Sequence, residues 1–182
     1  MKKEVSKAYI NRCLRVLKKW NAPLEGWHCQ YVHDVKEDGW IGGNDNGLFT
    51  CELCGCCRVR FVHVMEHEDW FEPLYVGCIC AGVMEGDILA AQERERQARN
   101  RAKRKRSFIE RKWSMTYKGD YTRQHNGKRL TITKPPFMGS QFGVVCNGTP
   151  YMSYKGKPIT NFLSAACAAF DIADPPIRGS GR

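Results

Sequence analysis

From Val5 onward the apolar positions Ala8, Tyr9, Cys13, Val16, Leu17 and Trp20 recur at three- and four-residue steps, with Lys7, Arg12, Arg15, Lys18 and Lys19 between them. That spacing predicts an amphipathic helix over residues 4–20, ended by Pro23 and Gly26. The period then falls to two. Trp27, Cys29, Tyr31, His33 and Val35 alternate with their neighbours and predict a strand, which runs into the turn-forming GGNDNG at 42–47. VRFVHVMEH and PLYVGCI predict a hairpin, and from about Cys80 the pattern is helical again, with no proline over 81–115. Val83, Met84, Ile88 and Leu89 give this helix an apolar start, and Phe108, Ile109 and Trp113 an apolar end. Between Gln92 and Arg106 only alanines relieve the polar residues, as in a helix that spans solvent.

Beyond residue 113, YTRQ and RLTITK flank HNGK, and FGVVC and TPYMSY flank Asn147 and Gly148. Two Asn-Gly pairs between alternating segments predict two hairpins and hence four strands. Thr160 or Asn161 then caps a helix whose apolar face is Phe162, Leu163, Ala166, Cys167 and Phe170, before Asp-Pro-Pro stops it. The expected class is α+β. An N-terminal helix and strand region occupies 1–48, a compact module 49–92, a basic connecting helix 93–112, a ββββα module 113–176, and a tail 177–182.

The compact module carries the strongest chemical signal. Cys51 and Cys54 stand in CELCG, and Cys78 and Cys80 stand in VGCICAG, where a strand gives way to a helix. In CxxCG the glycine lets backbone amides turn toward the sulfurs, and the partial positive charge of a helix start favours thiolate, so four such thiolates can close one structural Zn2+ site. A knuckle, a hairpin and a liganding helix start describe a treble clef. CxC is shorter than the usual CxxC, so His63 or His67 could replace one of Cys78 and Cys80. Cys56 and Cys57 lie past the knuckle glycine and read as packing or solvent-side thiols, and Cys13, Cys29, Cys146 and Cys167 as small buried hydrophobes.

Ten cysteines in 182 residues could indicate a disulfide scaffold, but the first 20 residues are charged throughout and lack the apolar core of a secretion signal. A reducing cytoplasm is expected, with no membrane span. The net charge of +10 is unevenly placed: residues 21–92 carry three basic against twelve acidic side chains, and residues 93–112 ten against three. Polyanion affinity must then come from outside the cysteine module. In RNRAKRKR, Arg99, Arg101, Lys103, Arg104, Lys105 and Arg106 have no acid within the run and read as a phosphate-contacting strip. Tyr121, Arg123, Lys128, Arg129, Tyr151 and Lys155 could line an open sheet face, rings for bases and cations for phosphates, or could simply complete a core.

The segment from CELCG to VGCICAGVMEGD resembles a group of uncharacterised bacterial and phage proteins with a treble-clef zinc finger, over about residues 50–90. The resemblance implies Cys51, Cys54, Cys78 and Cys80 as the ligands and carries no activity with it. The segment from WSMTYKGDY to LSAACAAFD, residues 113–171, is similar, more loosely, to small ββββα modules that accompany such fingers. Treble clefs also frame HNH-type nucleases, for which His63 could serve as base, but the helix from 81 onward holds no His to complete a catalytic metal site. The expected function is therefore non-catalytic: a zinc-stabilised accessory or regulatory protein that binds DNA or RNA. The alternative is a protein-interaction adaptor or inhibitor of phage or mobile-element origin that uses the acidic module.

Overall fold

Ser6 opens the first helix by accepting a hydrogen bond from the Tyr9 amide at 3.3 Å, and Lys18 and Lys19 complement the negative end of the helix at its last turn. This is the computed structural model of the chain, which describes residues 5–37, 46–134 and 141–176. Most of the GGNDNG turn and the tail at 177–182 lie outside the described residues. The fold is mixed α and β and divides into two units, the second of which is Arg101–Pro176.

In the first unit α1 (Lys7–Lys19) precedes a three-stranded antiparallel sheet in the order β1 (His28–Asp34), β2 (Phe61–His67), β3 (Trp70–Val76). β2 is buried over Phe61–Met65, as a central strand must be when both its faces are covered. Val35, Phe49 and Val62, with Val59 and Tyr75 against them, form one small core. α2 (Cys78–Glu85) follows β3 after Gly77 and ends on Gly86, whose φ of 75° closes the helix in the left-handed conformation. The start of α3 (Ile88–Glu110) lies so close to α2 that a Cβ on Gly82 would stand 2.5 Å from the Ile88 Cα. Only glycine permits that approach.

In the second unit β4 (Ser114–Met115), β5 (Tyr121–His125), β6 (Lys128–Thr133), β7 (Gly143–Cys146) and β8 (Thr149–Tyr151) pair antiparallel in chain order. Asn126 and Gly127, and Asn147 and Gly148, have φ between 47° and 89°, which is the condition for two-residue turns whose twist matches the flanking strands. β9 (Ser153–Tyr154) and β10 (Lys157–Pro158) make a separate ribbon, so this region has more strands than the four the alternation predicts. α4 (Phe162–Ala173) is held by a reciprocal Asn161–Ser164 capping box. Its alanines at 165, 166, 168, 169 and 173 are buried with Phe170 against Leu130, Ile132, Val144 and Phe108. Small side chains on that face let the helix sit close on the sheet.

Candidate metal centre

The knuckle forms as its sequence requires: Gly55 has φ of 73° and its amide donates to the Cys51 carbonyl at 2.8 Å. This turn brings the sulfurs of Cys51, Cys54 and Cys80 within 4.8 Å of one another, with Cys51 and Cys80 fully buried. Three soft donors converging in a buried position form a cluster that could bind a metal. Cys78 does not join them. Its thiol lies instead with His63 and Glu95, within 4.8 Å of both. The reason is helical geometry: residues two apart on a helix are rotated by about 200°, so the two cysteines of CxC point to opposite flanks of α2, whereas CxxC would have kept both on one side.

Two residues of α1, neither singled out by spacing, approach the cluster at Cys80. Cys13 Sγ stands 3.9 Å from Cys80 Sγ, and the Tyr9 hydroxyl 3.1 Å from the same atom. Thiolates held about 2.3 Å from a tetrahedral ion stand about 3.8 Å apart, so the Cys13–Cys80 separation suits a common ion. The one sign of Cys13 in the sequence is its place on the buried stripe of α1, which by itself marks an ordinary core position. Cys56 and Cys57 are exposed, and His67 accepts from the Asp69 amide and packs on Trp27.

The sulfurs divide protons unequally. The Cys80 thiol donates toward Cys51, which also receives the amides of Gly77, at 3.3 Å, and of Cys54; together these hold Cys51 down at about 5 against the opposing effect of burial. Cys80 is correspondingly raised, because its proton serves both Cys13 and Cys51. Tyr9 is raised by burial and by the neighbouring thiols. This sharing favours the thiolate of Cys51, which is the state a soft cation binds.

The basic side chains are distributed differently from the strip the sequence suggests. Arg101 and Lys105 are buried in the second unit, and both meet Asp171 of α4, at 2.6 and 3.1 Å. Arg104 meets Asp174 at 2.8 Å, and Arg99 pairs with Glu95 one turn back at 2.5 Å. The expectation that this run lacks acidic partners is corrected accordingly: Arg99 finds Glu95 within α3, and Arg101, Arg104 and Lys105 find Asp171 of α4 and Asp174 at its C-cap, some 70 residues along the chain. Lys103 and Arg106 are exposed.

On the sheet, Tyr121 pairs opposite Ile132, Arg123 opposite Leu130 and His125 opposite Lys128, and directly opposed residues share a face. Leu130 and Ile132 are fully buried on the side that α4 covers, so Tyr121, Arg123 and Lys128 belong to that side and not to an open platform. Tyr121 packs on Phe162 at 4.8 Å, Arg123 lies over Phe108 and donates to its carbonyl at 2.7 Å, and Lys128 donates to the Ile172 carbonyl. Arg129 is exposed on the opposite face, and Tyr151 and Lys155 are exposed as well.

Among the described residues no helix is long and apolar enough to cross a membrane. No family of known proteins, no curated protein and no solved structure matches the chain.

Proposed function

We propose that this is a zinc-stapled, non-catalytic protein that binds the backbone of DNA or RNA, with Zn2+ held by Cys51, Cys54, Cys80 and Cys13 in a treble-clef-like arrangement. The single observation that supports the metal assignment is the convergence of three sulfurs within 4.8 Å, two of them fully buried. Cys13 takes the fourth place that CxC cannot supply from one flank of a helix. A tetrathiolate closes its coordination sphere, so the ion's work is to tie α1, the knuckle and α2 together.

Nucleic-acid binding draws on the charge of +10 and on those basic side chains that the fold leaves exposed: Lys103, Arg106 and Arg129 in the second unit, and Arg12, Arg15, Lys18 and Lys19 on α1. Such contacts release counterions, so affinity falls with salt on a logarithmic slope of about 0.9 per phosphate neutralised on duplex DNA. The test is a titration of labelled duplex and single strands against salt. K103A/R106A is expected to flatten the slope by about 2, while K36A, in the acidic region, leaves it unchanged.

One observation favours a second reading. Phe71 is 90% exposed on the edge strand β3, beside Glu68, Asp69 and Glu72, an apolar centre with an acidic rim suited to a basic protein partner. No retention of either nucleic acid at low salt would refute the first reading and leave this one.

A further inference from the structure

We infer that the chain has a second divalent-metal site, built from His63, Cys78 and Glu95, separate from the cysteine cluster and open to solvent on one side. A ring nitrogen, a sulfur and a carboxylate oxygen from these residues lie within 4.8 Å of one another. At tetrahedral angles around one Zn2+ such atoms stand about 3.3–3.6 Å apart, so the group needs to contract by at most about 1.5 Å, within reach of side-chain rotation.

The second, independent observation is His63 itself. It is completely buried in β2, and its Nε2 has no hydrogen-bond partner. A buried polar atom left without a partner normally costs about 1–3 kcal/mol, so its persistence calls for a ligand. The other nitrogen is spoken for: Cys29 donates its thiol proton to the Tyr31 carbonyl at 3.4 Å, which leaves its sulfur to accept from His63 Nδ1 at 3.8 Å. That arrangement places the proton on Nδ1 and the lone pair on Nε2, the tautomer a metal requires.

The surroundings supply what ligating side chains usually have. Arg99 holds one oxygen of Glu95 at 2.5 Å, orienting the carboxylate while the other oxygen remains for the ion. Burial and the Arg94 charge keep His63 neutral by pushing it down to about 3. Cys78 and Glu95 line a cleft of about 320 Å3 with Ile79, Gln92, Arg96 and Arg99, which gives an ion an entry path and leaves a fourth position for water or a small anion. The ion replaces the Cys78 thiol proton, which passes to solvent. An imidazole, one thiolate and one carboxylate select a borderline cation such as Zn2+ over Mg2+ or Ca2+.

The site is tested by metal stoichiometry on the full chain, with Zn2+ and with Co2+ as the optical probe. Wild type is expected to bind two equivalents, one with the charge-transfer intensity of four thiolates and one with about a quarter of it. E95Q, on a partly exposed helix position where folding is preserved, should weaken the second equivalent at least about 10-fold, and C78S should abolish it, with the tetrathiolate spectrum intact in both. C51S should remove the first equivalent and leave the second. A single equivalent that C51S removes and E95Q leaves untouched overturns this inference while the cysteine-cluster assignment stands. A single equivalent with the reverse response supports it and overturns the cluster assignment.

Discussion

Replacing Asp171 by Ala removes a carboxylate that meets two buried cations in the second unit. The Arg101 and Lys105 side chains are 10% and 7% exposed, at 2.6 and 3.1 Å from it, and the Tyr154 hydroxyl donates to the same group. Breaking a buried pair from one side costs about 3–5 kcal/mol because the remaining charge cannot be resolvated. Loss of a carboxylate shared by two cations places D171A near the top of that range, softened because Arg101 keeps the Asp174 carbonyl at 2.6 Å and its carboxylate at 3.9 Å. In a unit of this size about 4 kcal/mol corresponds to a Tm drop of roughly 15–30 °C. Amide exchange read on peptides from β6 reports this unit alone. R104A is the internal control: its side chain is 49% exposed, so loss of the Asp174 pair should cost only about 0.5 kcal/mol. R101M/K105M/D171L, which replaces the charges with apolar volume, should recover most of the loss. A D171A protein within 1 kcal/mol of wild type, by the same exchange measurement, would refute the premise that these cations depend on Asp171.

The same carboxylate sets an acid limit. Burial raises Asp171, but Lys105, the Tyr154 hydroxyl and Arg101 outweigh it and hold it below the usual carboxylate value. A depressed acid stabilises fully above its unfolded value near 4 and loses that contribution as pH falls through its lower folded value, so protection of β6 should decline below about pH 4 and D171N should flatten that decline. C13S should lower affinity for the first metal at least about 10-fold and make α1 peptides exchange on chelation as the wild type does without metal, whereas C56S and C57S should bind like wild type. G82A should destabilise the first unit by about 1–3 kcal/mol or more, seen in urea denaturation, because the added methyl meets the Ile88 backbone at 2.5 Å and not a side chain that could move aside.

What the chain reveals by inspection is what depends on near neighbours. The α1 stripe, the CELCG knuckle and both Asn-Gly turns were legible because spacing along a few residues determines them. Cys78 and Cys80 were legible as a pair but not as members of different groups, since their facing depends on α2 beginning at Cys78. Cys13 was hidden because its role depends on α1 meeting α2, some 67 residues later. The pairing of α3 with the end of α4 left a faint trace: Arg104 and Lys105 stand three and four residues after Arg101, and Asp174 stands three after Asp171, complementary rows at helical spacing. Opposed charge at helical spacing identifies a possible contact, and only packing shows that it is made.

The junction Gly77-Cys78-Ile79-Cys80 has a further implication for how this chain can change over time. Because one short helix carries a sulfur on each flank, inserting or deleting a single residue between Cys78 and Cys80 would rotate the Cys80 thiol by about 100° and carry it away from the cysteine cluster. Side-chain drift at Ile79 is tolerable by comparison. Length, rather than identity, is the quantity that must be kept there, and indels in this tetrapeptide should be the rarest changes among functional variants.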